Sequence, residues 1–135
     1  MLVDNDPLFL ELSKTFLEVF YDIISDTVES AGKALERLQE ESYDVIVADY
    51  DMPFIDGITL LRTIRNRSIN IPFILFTGIE ETEVLRCAIE NGAYSFIQKK
   101  GDPKSQYSEL SKHIWKIAGI SKGCKYETNT TVDIA

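Results

Sequence analysis

Short apolar runs alternate with segments of helical spacing along most of this chain. The runs are Met1–Val3, Ile23–Val28, Val45–Ala48, Phe73–Phe76 and Ala93–Ile97, the second of them weak. Continuous apolar runs of this length predict strands buried on both faces. Between the first two runs, Phe9, Leu12, Phe16 and Phe20 recur at three and four residues after Asp6-Pro7, a cap and a first helical residue. Ala31, Leu35 and Leu38 repeat that spacing after Ser30, and Leu60, Leu61 and Ile64 do so after Asp56. Val84, Leu85, Ala88 and Ile89 follow Glu80, Glu81 and Glu83, acids that suit the positive end of a helix. Asn91-Gly92 then supplies a stop. Leu110, Ile114 and Ile117 form the last stripe, and residues 121–135 are polar without periodicity. The expected organisation is one domain over 1–118, then a polar tail or truncated linker over 119–135.

Five strand-then-helix units predict an α/β fold with a parallel five-stranded sheet and helices on both faces. Right-handed crossovers in a single domain favour a (βα)5 flavodoxin-like arrangement with strand order 2-1-3-4-5. The first and third strands are then neighbours at mid-sheet. Only three apolar residues precede Asp4, so the first strand reads as clipped.

The carboxyl ends of the runs carry the candidate chemistry. Asp4, Asn5 and Asp6 follow the first run, Asp49 the third, Thr77 the fourth and Lys99 the fifth. Ligands of open α/β sheets bind at that edge. Carboxylates crowded into one crevice repel each other, and a hard cation such as Mg²⁺ relieves the repulsion through oxygen ligands. A carboxylate can also act as a nucleophile and form an aspartyl-phosphate. Phosphoryl transfer then asks mainly for positioning and charge neutralisation. Lys99 offers a cation and Thr77 a hydroxyl donor.

Composition removes several other classes. The chain has 135 residues and a formal net charge of -8. That balance argues against a nucleic-acid footprint and against anionic membrane surfaces. The apolar runs fall far short of the roughly 20 residues of a membrane span. Asp4 and Asp6 break any signal-peptide pattern. Cys87 and Cys124 have neither metal-ligand nor disulfide-framework spacing, which suggests a reducing, cytoplasmic setting. Cys87, among Val84, Leu85, Ala88 and Ile89, reads as a small buried hydrophobe.

The ordered set Val3-Asp4-Asn5-Asp6-Pro7, Asp44 through Gly57, Phe76-Thr77-Gly78 and Phe96-Ile97-Gln98-Lys99 resembles the response-regulator receiver domain of two-component phosphorelay signalling. The resemblance spans residues 1 to 118. It implies that Asp49 is the phosphoacceptor, taking its phosphoryl group from the phosphohistidine of a sensor histidine kinase. It implies Mg²⁺ held by Asp4, Asn5, Asp49 and the backbone carbonyl of Asp51. Thr77 matches the switch hydroxyl, Lys99 the family lysine and Phe96 the aromatic switch position. The implied output is a protein contact through the fourth helix, fifth strand and fifth helix, with a downstream protein or an attached domain. A homodimer through that face is compatible with the family. The module would be no enzyme beyond its own phosphorylation and dephosphorylation.

Three departures stand out. Asn5 occupies a position where the family usually has a metal-binding aspartate, so Mg²⁺ affinity should fall, with Asp6 a candidate to compensate. Lys100 replaces a proline, and the loop Lys100–Gln106 looks long. Phe96 lacks the common tyrosine hydroxyl and is expected to favour a buried rotamer.

Two other functions are weighed beside this one. Asp49-Tyr50-Asp51 resembles the nucleophile motif of haloacid-dehalogenase-like phosphatases, although theirs sits on the first strand. A pseudo-receiver binding module without metal chemistry is invited by Asn5. A flavodoxin-type FMN site lacks its phosphate loop. Asp56 reads as a helix cap, Gly57 as a tight turn, Lys100 as a solvated charge, and His113 and Trp115 as packing residues.

Overall fold

The structure, a computed structural model, describes residues 1–122. Five strands alternate with five helices: β1 Leu2–Val3, α1 Pro7–Tyr21, β2 Thr27–Val28, α2 Ala31–Glu40, β3 Ile46–Ala48, α3 Gly57–Asn66, β4 Phe73–Thr77, α4 Thr82–Glu90, β5 Ser95–Gln98 and α5 Pro103–Lys122. The strands form one sheet in the order β2-β1-β3-β4-β5. Every pairing is parallel, with Leu2 opposite Thr27 and Val47, Ile46 opposite Phe73, and Leu75 opposite Phe96. This is the expected flavodoxin-like order.

Side-chain alternation divides the core. Val3, Val28, Ile46, Ala48, Phe73 and Leu75 pack against α2, α3 and α4. Leu2, Val45, Val47, Ile74, Phe76 and Ile97 face α1 and α5. Both faces are covered, which is why the strands read as unbroken apolar runs.

Helix entries follow the expected caps. Asp6 caps α1, accepting from the amides of Leu8 at 3.1 Å and Phe9 at 3.3 Å, with Pro7 inside the first turn. Ser30 caps α2 through Lys33 N, and Asp56 caps α3 through Thr59 N at 2.8 Å. Gly92 leaves α4 with φ +99, as a helix stop requires.

Several expectations need correction. On α1 the buried stripe is Leu10, Ser13 and Leu17, while Leu12 and Phe20 are exposed and Phe9 and Phe16 are half-buried. Ser13 conceals that phase in the sequence, because its hydroxyl is buried against Tyr107 Oη at 2.7 Å. On α4 only Ala88 is buried. The second apolar run contributes only Thr27–Val28 as strand. The loop after β5 is shorter than expected. Asp102 accepts from Ser105 N and Oγ, and Pro103 begins α5, so Pro103–Gln106 are helical. α5 extends past residue 118 to Lys122. The rest of the proposed tail, with Cys124, lies outside the described residues.

Gly57 serves a purpose other than a turn. A Cβ there would lie 2.3 Å from the carbonyl oxygen of Asp49, so the start of α3 is pressed against the backbone of the candidate nucleophile. Phe54, in the same β3–α3 loop, takes a left-handed φ of 70 with its ring fully exposed. An L-residue pays for that conformation while gaining no burial. Phe54→Gly is expected to raise stability by about 1 kcal/mol, the left-handed strain less the extra chain entropy of glycine. Urea unfolding checks this, and a fall in midpoint would contradict it.

Candidate functional site

β1 and β3 lie side by side at mid-sheet, so the residues that leave their carboxyl ends share one crevice. Asp4 is 5% exposed. Its Oδ1 accepts the amide of Asp6 at 3.0 Å, and its Oδ2 accepts Lys99 Nζ at 2.8 Å. Asp49 Oδ2 accepts the same ammonium at 3.3 Å, and its Oδ1 accepts the amide of Tyr50 at 2.7 Å. Lys99 is positioned by β5 and by its own amide, which donates to Thr77 O at 2.8 Å. One ammonium therefore bridges two carboxylates from strands far apart in sequence, leaving the trio one negative charge in excess.

The other predicted residues are distributed as follows. Thr77 ends β4 and is buried, its hydroxyl accepting from Ile79 N at 3.2 Å. Asn5, next to Asp4 in the chain, and Asp51, two residues beyond Asp49, are exposed. Asp6 caps α1 through Oδ1 alone, which accepts the amides of both Leu8 and Phe9. Among the described residues, no three His, Cys, Asp or Glu side chains converge into a ready-made metal cage. Mg²⁺ asks for less: one or two carboxylates, other oxygens and water. Two clustered acids with one excess negative charge over Lys99 fit that demand.

Phe96 departs from expectation. It is 38% exposed, not buried. On β5 the inward position towards α1 and α5 goes to Ile97, and Phe96 shares the opposite face with Leu75, over the thinly packed α4. Lys100 makes only a surface pair with Glu80 at 3.4 Å. His113 is half-buried beside Ser95 Oγ at 2.7 Å, and Trp115 Nε1 donates to Tyr21 O at 2.9 Å. Cys87 is half-buried, not a sealed core hydrophobe, and its sulfur accepts from Arg62 and Asn91 at 3.4 Å.

Aromatic residues line the site behind the lysine. The Lys99 ammonium lies 4.0 Å from the centroid of Phe9 and 5.7 Å from that of Phe76. Burial raises the Tyr107 phenol above its usual pKa, with the negative charge of Asp4 adding to the effect against the Ser13 hydrogen bond. Sequence periodicity alone assigned Phe9 to a core stripe. The signal it carried was its place one turn into the helix that follows an acidic strand end.

The family described as response regulator receiver domain matches residues 1–111. The chain belongs to that family. As a receiver domain it is 32% identical over 124 residues to a protein-glutamate methylesterase/protein-glutamine glutaminase of Carboxydothermus hydrogenoformans, covering 90% of this chain and 36% of that protein. It is 30% identical over 114 residues to the transcription factor SKN7 of Candida albicans, covering 84% of this chain and 20% of that protein. Among solved structures, a Francisella response regulator receiver domain matches with TM-score 0.80 and 27% identity, covering 89% of this chain and 95% of that one. A beryllofluoride-activated NtrC4 receiver domain, solved as a dimer, matches with TM-score 0.73 and 26% identity, covering 85% and 93%. The receiver spans between 20% and 50% of the length of the first curated relatives it matches. Among the described residues, no helix is long and apolar enough to cross a membrane.

Proposed function

We propose that this receiver accepts a phosphoryl group on Asp49 from the phosphohistidine of a sensor histidine kinase. The observation that carries the reading is the bridge from Lys99 Nζ to Asp4 Oδ2 and Asp49 Oδ2. A carboxylate oxygen of Asp49 attacks phosphorus. The new O–P bond forms as the donor P–N bond breaks, and the imidazole leaves with a proton. Asp4, Asn5, Asp49 and the carbonyl of Asp51 are the candidate holders of Mg²⁺, which when bound neutralises charge on the phosphoryl oxygens. Lys99 neutralises more of it, and the Thr77 hydroxyl turns from Ile79 towards a phosphoryl oxygen. Phe96, already half outside, responds at the face formed by α4, β5 and α5. Output is a protein contact, with a downstream protein, an attached domain or a second copy, in the cytoplasm. The receiver domain acts as a signalling module rather than an enzyme on external substrates.

The direct test is incubation of the chain with acetyl phosphate and Mg²⁺, followed by intact mass. One added phosphoryl group, removable by hydroxylamine as an acyl phosphate is, supports the reading. Catalytic turnover of phosphate monoesters without a stable adduct would support a phosphatase instead, though Asp49 follows the third strand rather than the first.

Asn5 sets the metal affinity. Restoring a charge with Asn5→Asp is expected to tighten Mg²⁺ binding about tenfold, the scale of an added carboxylate near a divalent ion at the protein surface. Isothermal titration of both proteins measures it. Absence of binding at millimolar Mg²⁺ in both would favour a pseudo-receiver.

A further inference from the structure

We propose that Phe9 is a positioning residue for phosphoryl transfer, its ring face seating the Lys99 ammonium and setting which oxygens that ammonium reaches. Nζ stands 4.0 Å from the ring centroid, with the lysine side chain 20% exposed. The ring is itself held: Phe76 lies 5.7 Å away and Tyr107 6.3 Å away, centroid to centroid, and Tyr107 stacks on Phe16 at 4.9 Å. The backbone completes a closed circuit. Asp4 Oδ1 holds the amide of Asp6, Asp6 Oδ1 holds the amide of Phe9, the Phe9 ring holds Lys99, and Lys99 Nζ returns to Asp4 Oδ2. The cap of α1 is thus coupled to the placement of the lysine.

The choice of an aromatic ring has a chemical reason. An ammonium has three N–H donors and no acceptor. Asp4 and Asp49 take two of them. A ring face attracts the cation without offering a lone pair. The third donor therefore stays available for an incoming phosphoryl oxygen. An aliphatic side chain in the same place would remove water from the ammonium and return no attraction. A carboxylate there would capture the third donor.

This inference rests on the phosphoacceptor reading, and the experiment separates the two. Four forms of the full chain are compared: wild type, Phe9→Leu, Phe9→Tyr, and a form with trifluorinated phenylalanine at position 9, which keeps the shape of the ring but drains its face of charge. The initial rate of phosphoryl uptake from acetyl phosphate with Mg²⁺ is followed by intact mass. The ring-current shift of the Lys99 ε-methylene protons is followed by NMR without phosphodonor. Loss of a partly desolvated cation–π contact is expected to slow uptake about fivefold in the Leu and fluorinated forms. Phe9→Tyr should keep the wild-type rate, and Phe9→Leu should lose the ring-current shift. If the fluorinated form folds and reacts as fast as wild type, the ring only packs and the proposal falls, whatever Phe9→Leu does to folding. If wild type takes up no phosphoryl group, the phosphoacceptor reading fails and takes this proposal with it.

Discussion

Asp49→Asn is expected to abolish phosphoryl uptake and leave the fold intact. The amide is nearly isosteric with the carboxylate and still offers Oδ1 to the amide of Tyr50, now bound at 2.7 Å. It cannot form an acyl phosphate, so the nucleophile is lost outright. Asp4 keeps Lys99 at 2.8 Å, so the ammonium is not left without a partner. Removing one of two carboxylates that share a single cation also relieves repulsion, so the thermal midpoint should hold or rise. Intact mass after acetyl phosphate and Mg²⁺ reads the first effect, and calorimetry the second. An adduct of unchanged yield on the variant would place the acceptor elsewhere.

Gly57→Ala is expected to destabilise the domain by roughly 2–3 kcal/mol, at the upper end of overpacking effects, because the obstacle is backbone and cannot rotate away. The added methyl would stand 2.3 Å from Asp49 O and 3.0 Å from Tyr50 Cα. Relief requires α3 to retreat, and α3 brings Leu60, Leu61 and Ile64 to the core. The amide of Gly57 also donates to Tyr50 O at 2.9 Å, so the β3–α3 loop would shift with it. Phosphoryl uptake should slow together with the loss of stability. Gly32→Ala is the control: its Cβ would meet only Ser30 Oγ at 3.9 Å, and the change should be neutral or mildly stabilising. Urea unfolding of the two variants makes the comparison. Equal midpoints would show that the crowding at Gly57 is absorbed.

The sheet order and the meeting of Asp4, Asp49 and Lys99 were legible because strands buried on both faces leave continuous apolar runs, and because the residue after each run must emerge at one edge. The caps at Asp6, Ser30 and Asp56 were legible from local chemistry alone. What escaped depends on contacts between distant segments. The phase of α1 turned on a serine hidden by Tyr107, 94 residues away. The exposure of Phe96 turned on how little of α4 reaches the core. The role of Phe9 needed the fifth strand to bring an ammonium to a ring on the first helix. Gly57 looked like any turn glycine until its neighbour across the loop proved to be a carbonyl.

α4 enters the interior through a single alanine, with Val84, Leu85 and Cys87 only leaning on it. Detaching such an element uncovers little oily surface, so its local opening lies at the inexpensive end of the fold's fluctuations. A nudge too weak to melt the scaffold is still enough to re-seat this one helix.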